Sequence, residues 1–175
     1  MDETRRNALL EKRRLLQLRH ARRDVSASFR RVACGLRREG VRCAKLMPEA
    51  CRHALGTLAS GPGRDERLDW NAIRNGSCRT WTSNEERNRL VASALAACTR
   101  PEARVAVVWS PFSAGLRIGA DDLARHAGAI LDEATEIWIV AADGGPWLIE
   151  VSHWDREVCH TRSMPLFVDS RFGNC

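Results

Sequence analysis

Between positions 153 and 160 the chain reads His153-Trp154-Asp155-Arg156-Glu157-Val158-Cys159-His160. Imidazole, carboxylate and thiol at that density are the ingredients of metal ligation or of acid–base work. If the chain is extended here, His153, Asp155 and Glu157 share a face, because side chains alternate along a strand. Cys159 and His160 are adjacent and then point opposite ways, whereas a tetrahedral site draws on spaced Cys and His pairs. The expectation is no metal, and a polar strand end leaving the core.

Other chemistries have less to work with. There is no G-x-x-x-x-G-K-[ST] and no G-x-G-x-x-G, and Pro146 after Gly144-Gly145 removes a backbone donor that a phosphate would need. A carboxylate-plus-lysine nuclease site wants acids near a lysine, yet the only lysines are Lys12 and Lys45, in the N-terminal part. Asp121-Asp122 reads as a helix start that complements the dipole. Glu136 and Glu150 read as solvent-facing or salt-bridged strand residues. Seven cysteines, an odd number with no C-x-x-C, argue against a disulfide framework and for idle thiols in a reducing compartment. A cysteine nucleophile whose histidine meets it only in space stays open, with Cys159 or His153 as its residues. The sum points to a protein that is not an enzyme, with no cofactor and no small-molecule substrate implied.

Charge suggests partners instead. Residues 1–67 hold 17 basic and 8 acidic side chains, a net of +9, and residues 68–175 hold 11 and 14, a net of −3. Arg13, Arg14, Arg19, Arg22, Arg23, Arg30, Arg31, Arg37 and Arg38 could neutralise several phosphates if helical. No helix-turn-helix spacing and no interleaved aromatics accompany them. Arginine-rich nucleic-acid binding is therefore the alternative reading. The excess of arginine over lysine and the lack of tyrosine also fit the codon usage of a GC-rich bacterial genome. Trp154, set among charges, is either a binding anchor or, as large aromatics more often are, packed away, here beneath the N-terminal helices.

The elements that must position these residues come next. Residues 3–22 read as a charged helix and 26–38 as a second, with Phe29, Val32, Ala33 and Leu36 on one stripe and Gly40 as its stop. A third is expected over 48–59, with Pro48 and Glu49 in its first turn. Ser60-Gly61-Pro62-Gly63 marks a boundary. The domain reading is a basic helical segment over 1–63 and an α+β core over 64–175, or one domain throughout. Asn75-Gly76 signals a turn. Ser83 and Glu86 stand at capping-box spacing before a helix over 84–98 with Leu90, Val91, Ala94, Leu95 and Cys98 on its stripe. Short strands are expected at 104–109 and 114–118, then a helix from Ala120 to Asp132. The tail from 155 reads as loop, with a weak strand at 166–168.

The clearest pattern is Glu136–His153, EIWIVAADGGPWLIEVSH, a hairpin about Asp143-Gly144-Gly145-Pro146. A tight turn pairs Ala142 with Trp147, Val140 with Ile149 and Trp138 with Val151 on one face. Ala141/Leu148, Ile139/Glu150 and Ile137/Ser152 then fall on the other. The fold class is α+β, with N-terminal helices packed on a small, mainly antiparallel sheet that carries a C-terminal hairpin.

Residues 105–155 resemble the α+β modules of small bacterial immunity proteins from contact-dependent growth inhibition and related polymorphic-toxin systems. The resemblance rests on Gly115-Leu116-Arg117-Ile118, the helix opened by Asp121-Asp122, Glu136–Val140 and Trp147–His153. It implies a cytoplasmic protein without catalytic residues that binds one cognate toxin domain, often a nuclease, and covers its active site. It carries no individual residue roles. Such proteins are commonly acidic, and here only the C-terminal part is. The expected partner surface is Asp132, Glu133, Glu136, Glu150, His153, Trp154, Asp155 and Glu157 facing a basic toxin, or else the arginine-rich helices face an acidic one, with complementary charge speeding encounter. Residues 1–20 hold no apolar signal core and no stretch reaches the roughly 18 apolar residues of a membrane span, so the expected location is the cytoplasm, with no membrane partner.

Overall fold

The computed structural model describes residues 27–55, 75–109 and 115–162, together with Lys12, Trp70 and Ile73. The expected helix over 3–22 and strand over 166–168 lie outside these residues, apart from Lys12.

A helix over 27–38, α1, buries Val32, Ala33 and Leu36. Its end is a Schellman motif: Val41 N donates to Leu36 O at 2.9 Å and Gly40 N to Arg37 O at 3.1 Å. Gly40 takes φ +76°, which only glycine adopts without strain. Strand β1 (Ala44–Leu46) and helix α2 (Pro48–Leu55) follow. Then come β2 (Ser77–Thr80), α3 (Asn84–Cys98), β3 (Arg104–Val108) and β4 (Gly115–Gly119). Helices α4 (Ala120–Arg125) and α5 (Ala127–Leu131) lead into β5 (Glu136–Ala141), β6 (Leu148–Ser152) and β7 (Glu157–Thr161). The expected single helix over 120–132 is thus two, bent at His126, where φ −109° and ψ 20° leave the helical region.

Among the described residues seven strands form one sheet in the order β1-β4-β3-β5-β6-β7-β2, antiparallel throughout. The fold is α+β. Both faces of the sheet are covered. On one, Val105, Val107, Leu116, Ile118, Ile137, Ile139, Ile149, Val151 and Val158 pack against α1, α3, α4 and α5. On the other, Ala106, Val108, Trp138, Val140, Leu148 and Cys159 pack with Cys51, Leu55 and Trp70. Gly115 permits the close approach of α2: a Cβ there would lie 2.6 Å from Val107 O and 3.0 Å from Cys51 Sγ. Val32 and Leu36 share the first cluster with Leu116, and β1 lines the sheet edge beside β4, so residues 27–55 contribute to the same core as the rest.

Two expectations need correction. The hairpin pairs Val140 with Leu148, Ile139 with Ile149, Trp138 with Glu150 and Ile137 with Val151, one residue away from the tight-turn register. Gly144 takes φ +84°, and a Cβ on Gly145 would come 2.8 Å from Ala141 Cβ, so the connection folds back on the strand as a wider loop. Alternation cannot choose between these registers, because with both faces covered neither one exposes an apolar set. The tail is also not loop from 155 onward. Residues 157–161 form β7, which pairs with β6 on one side and β2 on the other.

Cys78 and Cys159 face each other across that last pair and are joined by a disulfide, where idle thiols were expected. Cys34, Cys43, Cys51 and Cys98 are free. Among the described residues no helix is long and apolar enough to cross a membrane.

Candidate partner-binding site

Six of the eight residues expected to bind a partner lie at the end of the sheet formed by the start of β5, the β6–β7 turn and the start of α3. The N-terminus of α3 sets the frame. Ser83 Oγ accepts from Glu86 N at 3.2 Å, and the Glu86 carboxylate accepts from Thr82 N and Thr82 Oγ1, both at 2.8 Å. These bonds hold Glu86 below the usual carboxylate range.

One turn into α3 lies Arg87, which is completely buried. Its Nη1 donates to Asp132 Oδ1 at 2.7 Å and sits 3.4 Å from His153 Nε2. Nε and Nη2 donate to Asn88 Oδ1 at 3.1 and 2.9 Å, and the guanidinium carbon lies 5.7 Å from the Trp81 ring centre. An isolated buried cation is costly, and here four neighbours share it. Burial first, and then Arg87, holds the His153 imidazole below its ordinary pKa, against Asp132 and the Leu131 carbonyl, which favour the charged form. His153 Nε2 thus faces the Arg87 guanidinium, which disfavours the protonated ring.

The β6–β7 turn is tied down on either side. His153 N donates to Thr135 O at 2.8 Å and Trp81 N to Arg156 O at 2.8 Å. Ser152 Oγ donates to Glu136 Oε1 at 2.8 Å and lies 3.3 Å from both Asp155 Oδ2 and Asp155 N. Arg156 takes φ +53° to close the turn. The edge of His153 meets Trp81 at 5.7 Å, and the Arg156 guanidinium lies 6.0 Å from the same ring. Between these anchors Trp154 projects outward, 78 % exposed. The reading that packs it beneath the N-terminal helices is overturned: its neighbours hold the backbone so that His153 faces inward and Trp154 faces water.

No protein-family model, curated protein or solved structure matches the chain.

Asp132, Glu136, His153, Trp154, Asp155 and Glu157 are brought together, since Glu136, Ser152, Glu157 and Thr80 form one cross-strand row. Glu133 lies toward α1, where its carboxylate accepts from Arg31 at 2.6 and 3.4 Å. Glu150 does not belong to this surface. It is 1 % exposed and accepts from Trp70 Nε1 at 3.2 Å, so the solvent-facing reading is wrong. The cause is the hairpin register, which turns Glu150 toward the covered face beside Trp138.

The expected chemistry of the C-terminal run is dispersed. His153 stands against Arg87, Cys159 is in the disulfide, and His160 points to the other face, with Nδ1 3.9 Å from Cys98 Sγ. Burial raises the Cys98 thiol and, with Arg162 and Arg79, lowers His160, so both are pushed toward their neutral forms. On α1, Arg30, Arg37 and Arg38 are exposed and Arg31 is taken by Glu133; Arg13, Arg14, Arg19, Arg22 and Arg23 lie outside the described residues.

Sequence reasoning missed Arg87 and Trp81. The signal for Arg87 was there. Position 87 falls four residues before Val91 and seven before Ala94, on the buried stripe of α3, and a cation there needs a partner.

Proposed function

We propose that the protein is a cytoplasmic immunity protein that binds a cognate bacterial protein toxin and covers its active site. The observation that carries this is Trp154, a large aromatic held in water on a turn pinned from both sides, with Asp155 next to it and Asp132 and Glu157 at the same end of the sheet. Exposed tryptophan costs solvation and is enriched at binding hot spots, where a polar rim excludes water. Acidic side chains around it favour a basic partner surface, as a nuclease domain presents. The resemblance of residues 105–155 to immunity modules points the same way.

The test is co-expression with the C-terminal domain of any large secreted protein encoded beside this gene. The expected result is a complex that survives gel filtration and growth protection that Trp154→Ala reduces. Absence of both complex and protection ends the reading.

The alternative, arginine-mediated nucleic-acid binding, draws on exposed Arg30, Arg37 and Arg38 along α1. It requires affinity that falls steeply with salt. No binding to duplex or single strands at low ionic strength removes it.

A further inference from the structure

We propose that Cys78, Cys159 and Glu157, once the disulfide is opened, form a site for one zinc-class divalent ion. This goes beyond toxin binding and does not depend on it.

The geometry is built by the sheet. Cys78 of β2 and Cys159 of β7 are direct cross-strand partners with Cα atoms 4.0 Å apart. Glu157 lies two residues before Cys159 on the same strand, so its side chain leaves the same face. Its Oε2 is 4.0 Å from Cys159 Sγ, and one ligand atom from each of the three residues falls within 4.8 Å of the others. Tetrahedral zinc with Zn–S near 2.3 Å needs its sulfurs about 3.8 Å apart. Two thiolates on facing strand positions reach that spacing by side-chain rotation alone. Two sulfurs and a carboxylate oxygen suit a borderline-soft ion and not magnesium or calcium, which take oxygen ligands.

The surroundings fit an open site and not a closed structural one. Cys159 is buried in the cluster with Trp70, whereas Cys78 is exposed at the sheet edge and Glu157 is half-buried. The ion would rest against the apolar side and keep its fourth position for water. His153 and His160, the imidazoles nearest in sequence, take no part, because His153 Nε2 faces Arg87 and His160 Nδ1 faces Cys98, both on the helix α3 side of the sheet and away from Cys159.

The chemistry balances as follows. Two equivalents of a monothiol, such as the cytoplasmic thiol pool supplies, reduce the bond: one small-molecule disulfide forms and Cys78 and Cys159 each gain a proton. The ion then displaces both protons, and two sulfur–metal bonds form. The same sulfurs cannot be bonded to each other and to the ion, so the site exists only in the reduced protein.

The experiment uses the full chain, reduced with a phosphine, desalted without oxygen and titrated with cadmium. Thiolate-to-metal absorption reports the sulfurs. The expected result is one equivalent of tight absorption that zinc competes away and that the oxidised protein lacks. Cys78→Ser, at an exposed edge position, should remove it while circular dichroism stays unchanged. Glu157→Gln should keep the sulfur bands and weaken binding tenfold or more. Cys34→Ser and Cys98→Ser should leave the titration as it was. Equal absorption in Cys78→Ser or in the oxidised protein overturns the proposal. So does a Cys78–Cys159 bond that reductant fails to open, read by alkylation and mass.

Discussion

Arg87 Nη1 meets Asp132 Oδ1 at 2.7 Å, yet the two ends of this ion pair stand in different surroundings: the arginine side chain is 0 % exposed and the aspartate 55 %. Removing either partner breaks the same contact but leaves a different remainder. Asp132→Ala strands a cation in the interior, which costs about 3 kcal/mol. Arg87→Met leaves a carboxylate that water already reaches and fills similar space, so its cost should stay near 1 kcal/mol. Urea midpoints of the two variants decide this. The reverse order would mean that packing of Arg87 on Trp81, and not its charge, dominates.

Acid should destabilise the protein earlier than its carboxylates require. Burial holds the imidazoles of His153 and His160 below the ordinary histidine value, which is about 6.5. As pH falls through that value the unfolded chain takes up protons that the folded chain refuses, so stability declines from there downward and is fully present above it. His153→Gln keeps an acceptor toward Arg87 and should flatten this limb between about pH 7 and 5. Thermal melts across that range are the measurement, and an unchanged slope would place the limb on His160 or elsewhere.

Trp154 separates folding from binding. Because its side chain is mostly in water, Trp154→Ala should change unfolding free energy by no more than about 0.5 kcal/mol. If the immunity reading holds, the same substitution should weaken the toxin complex by about 2 kcal/mol or more, roughly thirtyfold. Trp81→Ala, which opens the buried wall behind His153, should instead lower stability by about 3 kcal/mol. Calorimetry on the complex and melts of the free protein together resolve the two roles.

Gly40 is a clean test of backbone strain. A Cβ there meets nothing within 4 Å, so only φ +76° opposes a side chain. Gly40→Ala should therefore cost about 1 kcal/mol, and Gly40→Asn less, since asparagine tolerates the left-handed region. Equal midpoints for all three proteins would show that the end of α1 frays without consequence.

The parts of this fold that were readable share one property: their signals are local. Ser83 and Glu86 with the stripe through Val91, Ala94 and Leu95 placed α3 to the residue, and Gly40 placed the end of α1. What was not readable depended on partners far along the chain. Ser77–Thr80 is exposed throughout and becomes a strand because Glu157–Thr161 lies beside it. The hairpin register depended on a second covered face that no local pattern announces. That face also decided the candidate site. Glu150 looked like a surface acid until Trp70 capped it, whereas Asp132, Glu136, Asp155 and Glu157 stayed at the rim because turns and strand ends hold them there. Arg87 was hidden for the opposite reason, as a charge on a stripe read only for its apolar members.

The strand order also sets a timetable. β1 and β2 leave the ribosome before any other strand, yet they sit at opposite edges of the sheet and pair only with β4 and β7. Cys78 and Cys159 are separated by 81 residues, which at about 5–20 residues per second is about 4–16 s of synthesis. Through that interval β2 has no neighbour to pair with, while β3 and β4, and then β5 and β6, can close on each other soon after they emerge. The edge at β2 is thus the last to close, and a strand made second of the seven is among the last to find its place.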